Sequence, residues 1–179
     1  MPQIEIRPAS NTDLAYFIEL DHSYQTDYVW QMDRIVDEGQ MSIQFREIHL
    51  PRPVKVDYPY SKQQLASMWS QHPIVLAAYM NGYPVGYIHV EEDQRSETGW
   101  IRGLAVNREQ RRKGIASGLI LAVHEWAVQR DFRRVNLATQ SKNHPAVRLA
   151  LKLGYEFCGY QDHYYGNRDI SLFFSRFMR

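Results

Sequence analysis

Cysteine is nearly absent. Cys158 stands alone in 179 residues, so no internal disulfide can form and the chain suits a reducing compartment. No apolar run approaches the roughly 18–20 residues needed to span a bilayer. The first residues, Met1 to Arg7, lack the charged head and apolar core of a secretion signal. Both absences point to the cytoplasm. Charge of one sign is missing too: 21 Lys and Arg face 20 Asp and Glu, a net +1, which gives no general attraction for nucleic acid or a membrane. The seven histidines, at 22, 49, 72, 89, 124, 144 and 163, never fall at H-x-H or H-x-x-x-H spacing, so the local sequence offers no metal site. There are no repeats, linkers or low-complexity tracts. The length suits one domain over 1–179, and 44% hydrophobic with 23% charged residues is ordinary for a globular protein. Aromatic content is the exception, with 12 Tyr and 4 Trp.

The most informative stretch runs from Trp100 to Arg130. Ile101, Leu104, Ala105 and Val106 read as a buried strand. A basic turn follows, with Arg108, Arg111, Arg112 and Lys113. Gly114 and Ala116 then open a helix whose apolar positions, Ile115, Leu119, Ala122, Val123 and Trp126, fall on one face. The first turn of a helix leaves N–H groups unpaired, and its dipole favours negative charge there. Small residues at 114 and 116 let a ligand approach the backbone. The arrangement suits a pyrophosphate, although a solvated basic turn is the plain alternative. Neither the Walker pattern nor G-x-G-x-x-G is present.

Residues 111–116, Arg111-x-x-Gly114-x-Ala116, fit [QR]-x-x-G-x-[GA], and the chain here resembles the GNAT superfamily of acyl-CoA-dependent N-acetyltransferases. Downstream, Asn143-His-Pro-Ala-Val-Arg-Leu-Ala-Leu-Lys-Leu-Gly-Tyr155 is similar to that family's N-x-x-A…L-G-[FY] helix. Two motifs in order are far more specific than either alone, and the resemblance covers about 74–177. Within 22–32, Thr26-Asp27-Tyr28-Val29-Trp30 also resembles streptothricin acetyltransferases. A covering loop with buried aromatics is the other reading of that segment.

Residues 3–8 alternate as a first strand ended by Pro8. Ser10 caps a helix over 11–21, with Asp13 three residues on. Residues 41–48 alternate as a half-buried strand with Met41, Ile43 and Phe45 on one face. Pro51, Pro53 and Pro59 make 50–60 a loop, and Ser61 caps a short helix through Trp69. Strands 74–80 and 84–90 join at Asn81-Gly82, the strongest hairpin signal. A charged turn at 91–97 leads to strand 98–106. Beyond the long helix come a strand at 133–139, parallel to 98–106 by a right-handed crossover, a helix at 144–153, and strands at 155–161 and 170–177. The expected architecture is an α/β fold: a mixed, mostly antiparallel sheet, helices on both faces and, by the resemblance, a splayed parallel strand pair.

Acetyl transfer to an amine needs a held acyl-CoA, a deprotonated amine, oxyanion stabilisation and a proton for the thiolate. The resemblance implies acetyl-CoA as co-substrate. Amides of Arg112, Lys113, Gly114, Ile115 and Ala116 would hold the pyrophosphate, supplemented by the charges of Arg111 and Lys113. The backbone of Leu104, Ala105 and Val106 would pair with the pantetheine arm, and Asn143 would hold it from the other side while capping its helix. The family's usual acid and base positions fall on Ala150 and Ala138. Glu91 as proton acceptor through water and Tyr165, or its neighbour Tyr164, as donor are the substitutes. Solvated or packing roles are their plain alternatives. Cys158, in an expected buried strand, is no nucleophile. The acceptor is expected to be a primary amine of a small polar or cationic molecule, drawn by the acidic and tyrosine-rich stretches 21–30 and 91–97, with a streptothricin-like antibiotic as the candidate. A protein lysine or N-terminal acetyltransferase and a non-catalytic acetyl-CoA sensor are the alternatives, and a homodimer stays open.

Overall fold

A computed structural model of the chain describes residues 3–71 and 74–178. The elements are β1 (Ile4–Pro8), α1 (Asn11–Ile18), β2 (Tyr24–Asp37), β3 (Gln40–Val56), α2 (Lys62–Trp69), β4 (Ile74–Met80), β5 (Tyr83–Asp93), β6 (Thr98–Val106), α3 (Ile115–Gln129), β7 (Arg134–Gln140), α4 (His144–Lys152), β8 (Glu156–Gln161) and β9 (Ser171–Phe177). Seven strands form one sheet in the order β1-β4-β5-β6-β7-β9-β8, while β2 and β3 form a separate ribbon. Within the sheet only β6 and β7 run parallel.

Strand alternation divides the core between two faces. Val75, Ala77 and Tyr79 of β4 meet Phe17 of α1 and Leu65 and Trp69 of α2. The opposite face sets Ala78, Ile88, Val90, Ile101 and Val135 against Leu119, Ile120 and Val123 of α3 and Val147 and Ala150 of α4. Each fully buried aliphatic side chain contributes about 1.5–3 kcal/mol. Local signals behave as their chemistry dictates. Ser10 with Asp13, and Ser61 with Gln64, close capping boxes. Asn81 and Gly82 both take positive φ, 53° and 80°, as a tight primed turn needs.

Several expectations are corrected. Helix α1 stops at Ile18 rather than 21. Residues 24–37 are not a covering loop but strand β2, because β3 supplies a hydrogen-bonding partner along nearly its whole length. The expected loop 50–60 is strand through Val56. Thr26 pairs with Val54 and Tyr28 with His49, so Leu50 to Pro53 face Asp27 in an irregularity. Pro51 and Pro53 sit there, where a missing N–H breaks no ladder bond. Strand β3 is half-buried only at its root: Phe45 packs against Phe157 and Tyr160, while Met41 near the tip is 80% exposed. The charged segment 91–97 is a turn only after Asp93, since Glu91 to Asp93 pair with Trp100 to Thr98. Cys158 lies in β8 as expected but is exposed, not buried.

Candidate active site

Strands β6 and β7 pair only at their starts, Thr98 to Ile101 against Arg134 to Leu137. Beyond that point β6 stays with β5 as far as Val106, and β7 stays with β9 as far as Gln140. The sheet therefore splits between them. A bulge marks the fork. His89 pairs with Gly103 and Val90 with Ile101, which leaves Arg102 as the extra residue. The Asn107 N–H donates to the Val85 carbonyl at 2.8 Å, so by antiparallel alternation residues 105 and 103 turn their main-chain groups to β5. Those of Leu104 and Val106 face the split. The Val106 carbonyl accepts from Arg111 Nε at 2.9 Å.

Where β6 leads into α3, Arg112 and Gly114 both adopt positive φ, 63° and 82°. This curls the turn and aims successive N–H groups to one side. Gly114 caps α3 with no side-chain bond. Among the described residues the N–H groups of Gly114, Ile115, Ala116 and Ser117 have no partner. A Cβ on Gly114 would meet nothing within 4 Å, so the backbone at the start of α3 is open to approach at that residue. They are the unpaired donors of a helix start, at its positive end.

Arg111 does not do what its charge suggested. Its guanidinium donates to three carbonyls: Val106, Ser23 at 3.1 Å and Asp21 at 3.1 Å. Burial, opposed by Asp21, lowers its pKa. It ties the turn to the segment between α1 and β2 instead of offering free charge. Lys113 Nζ donates to Gln110 Oε1 at 2.7 Å on the surface. Asn143 accepts from the Ala146 N–H at 3.2 Å, the capping role.

On the face of α1 and α2, the split opens onto a cluster of aromatic and charged side chains. His22 stacks on Tyr58, and Tyr58, Tyr60, Tyr165 and Tyr164 follow edge to face at centroid distances of 4.9–5.7 Å. Arg102 Nε donates to Glu91 Oε2 at 3.0 Å and Nη1 donates to the Tyr164 hydroxyl at 2.9 Å. Glu91 and Tyr165 thus belong to one connected group. Their situations differ. Glu91 is 46% exposed. Tyr165 is buried, its hydroxyl is 3.3 Å from Ser171 Oγ, and burial pushes its pKa well above the usual range. Tyr164 accepts from Arg102 and can donate its own proton. The other acids of 91–97 are engaged elsewhere, Glu92 with Arg130, Asp93 with the Ser96 hydroxyl and Glu97 with Arg133. Beside the cluster lies a cavity of about 280 Å³ lined by Asp21, His22, Asp57, Tyr58 and Tyr60, among others.

The pattern of the acetyltransferase (GNAT) family matches residues 42–155, well over half of the chain. The chain belongs to the GNAT family. Among solved structures, it is similar to nourseothricin acetyltransferase, with a TM-score of 0.83 and 19% identity over 98% of this chain and 99% of that one. A candidate streptothricin acetyltransferase from Bacillus anthracis str. Ames, in complex with acetyl coenzyme A, follows at TM-score 0.76 and 17% identity, covering 99% of both chains. The ribosomal-protein-S18-alanine N-acetyltransferase of Escherichia coli has a TM-score of 0.70 at 14% identity, over 98% and 94%. At such identities the likeness speaks for the fold. No curated protein sequence matches the chain.

Ala150 and Ala138, at the positions where an acid and a base were expected by resemblance, carry side chains that cannot transfer a proton. Ala150, in α4, is fully buried in the core. Ala138 lies in β7 opposite Phe173. Sequence reasoning passed over Tyr58 and Tyr60, and gave Arg102 no part in this cluster. Nothing local marks them, because three distant segments bring them together. Among the described residues no three His, Cys, Asp or Glu side chains gather as a metal would require, and no helix is long and apolar enough to cross a membrane.

Proposed function

We propose that this GNAT protein transfers the acetyl group of acetyl-CoA to a primary amine of a small polar molecule, by direct attack while both substrates are bound. The observation that carries the reading is the run of unpartnered N–H groups from Gly114 to Ser117, open to approach at Gly114, at the mouth of a split sheet. Those amides suit the diphosphate. The free edge at Leu104 and Val106 suits the amide-bearing pantetheine arm as an added strand, with Ala105 holding that edge to β5. With the arm along that edge, its thioester end would lie at the bulge of Arg102, beside the tyrosine cluster. A main-chain N–H of the free edge stabilises the carbonyl oxygen, and the Asn143 side chain borders the arm while capping α4.

The amine loses a proton to Glu91, which passes it to solvent. Its nitrogen forms a bond to the carbonyl carbon, the carbon–sulfur bond breaks, and the sulfur takes a proton. Tyr164 suits that last step better than Tyr165, since its hydroxyl accepts from Arg102 and can donate its own proton, whereas Tyr165 is buried against Ser171. Likeness in fold to the streptothricin-type enzymes makes a streptothricin-class antibiotic the acceptor to try first. The reducing cytoplasm suits both the lone cysteine and acetyl-CoA.

The test is a thiol-release assay with acetyl-CoA and a panel of nourseothricin, lysine, n-butylamine and a lysine-containing peptide, alongside calorimetric titration with CoA. Micromolar CoA binding with turnover of a small amine is the expected result. Turnover on the peptide alone makes the chain a protein acetyltransferase. CoA binding with no turnover makes it a sensor, and absence of CoA binding ends the reading.

A further inference from the structure

The acceptor face holds a buried titratable side chain still without a role, His89. It lies in β5 two residues before Glu91 and is 1% exposed. Its Nε2 has no hydrogen-bond partner among the described residues. Leaving a buried polar atom unpaired is costly, and such atoms persist where a ligand or water completes them. The surroundings are built for completion. Glu91 Oε1 lies 3.9 Å from Nε2, too far to bond directly but close enough for one atom to reach both at roughly 3 Å. Arg102 occupies the other carboxylate oxygen, Oε2, and so holds Glu91 in place. Across the ladder stands Gly103, which sets no side chain against His89: a Cβ there would already touch His89 Cβ at 3.6 Å, Tyr87 at 3.6 Å and the Tyr58 hydroxyl at 3.4 Å.

We propose that His89 Nε2 and Glu91 Oε1 together seat the amino group of the acceptor, so that the site selects primary amines. The inference rests on the acetyl-transfer reading. An ammonium group has three N–H bonds. One meets the imidazole lone pair and one the carboxylate; Glu91 takes the latter proton and passes it to solvent, and the neutral amine turns so that its lone pair faces the thioester while a second N–H returns to Glu91. The nitrogen then bonds to the carbonyl carbon, and the carbon–sulfur bond breaks. The sulfur takes a proton, and the second N–H proton leaves by the same carboxylate. The product amide keeps one N–H, on His89. A hydroxyl acceptor, with a single O–H, leaves one of the two atoms unpaired and is rejected. Burial keeps His89 neutral by lowering its pKa to about 4, so its lone pair is available near neutral pH. The charged and titratable groups around it are Glu91 on the same strand, Arg102 on β6, Tyr58 and Tyr60 from the loop before α2, and Tyr164 behind Arg102.

The experiment compares His89→Leu with His89→Gln, whose amide oxygen restores an acceptor, using the fastest amine of the panel. His89→Leu should lose 30-fold or more in kcat/KM for the amine while CoA affinity stays within twofold, and His89→Gln should recover most of the loss. Wild-type protein labelled with ¹⁵N-histidine should show the Nε2 resonance of His89 move on addition of n-butylammonium and stay put with n-butanol. Full activity in a folded His89→Leu, or an Nε2 resonance indifferent to the amine, overturns the seat. Should His89→Leu fail to melt cooperatively, the wild-type titration decides. Loss of CoA binding in the wild type would instead strike the acetyl-transfer reading.

Discussion

At the scale of single residues, main-chain geometry outweighs side-chain charge in the turn before α3. Gly114, at φ 82°, sits before the unpaired donors with open space ahead. A β-branched residue is strained at that φ and fills that space, so Gly114→Val is expected to weaken CoA at least tenfold in a calorimetric titration, and unchanged affinity would count against the cradle. Arg111→Ala should act on stability rather than on ligand charge. Hydrogen bonds from a charged donor are worth about 1.5–3 kcal/mol, and three carbonyls lose theirs. Partial exposure discounts the total, so a loss of roughly 1–3 kcal/mol in urea denaturation is expected, whereas exposed Lys113→Ala should change CoA affinity less than threefold. Tyr164→Phe is expected to lower kcat tenfold or more with KM for acetyl-CoA unchanged. Tyr165→Phe should mainly cost stability, because its buried hydroxyl faces Ser171.

At the scale of elements, the β2–β3 ribbon separates what pattern could reveal from what it could not. Strands 74–80 and 98–106 were legible because one or both faces are buried and the hydrophobic run is continuous. Strand β2 was not, since its hydrogen bonds go to a partner whose prolines disguise it and its side chains are half-exposed along most of its length. The root of the ribbon is anchored. The Trp30 N–H donates to the Ser141 carbonyl at 2.9 Å, Tyr28 stacks on His144, and Phe45 packs on β8. The tip, from Ile35 to Ile43, has no such support, and a two-stranded ribbon alone is marginal in water. Hydrogen exchange should therefore be fast for amides 35–43 and slow for 28–31 and 45–48. Equal protection along the ribbon would show that something covers the tip.

At the scale of the whole molecule, burial of histidines links stability to pH. His124, bonded through Nε2 to the Tyr155 hydroxyl at 2.8 Å, and His89 both have pKa values lowered to about 4, chiefly by burial. In the unfolded chain a histidine titrates near 6.5. Between about pH 6.5 and 4 the unfolded state therefore binds protons that the folded state refuses, so stability falls as pH falls, by up to about 1.4 kcal/mol per pH unit for each histidine. Melting temperature should be steady above pH 7 and drop between pH 6.5 and 5, with His124→Gln showing a shallower drop. By itself, the sequence determined the strand–turn–helix around Arg111 to Ala116, the helix capped by Asn143, the order of most strands and the family, because each is written in contiguous residues whose spacing follows one period or one turn. Tertiary structure alone decided that Arg111 spends its donors on carbonyls, that the Tyr164 hydroxyl accepts from Arg102 while Tyr165 is buried against Ser171, and that His89 lies 3.9 Å from Glu91 on a face that Tyr58 reaches from a distant segment. The reason is physical: a hydrogen bond or a burial penalty depends on which atoms lie within a few ångströms, and at a forked sheet those atoms come from parts of the chain that no local pattern connects.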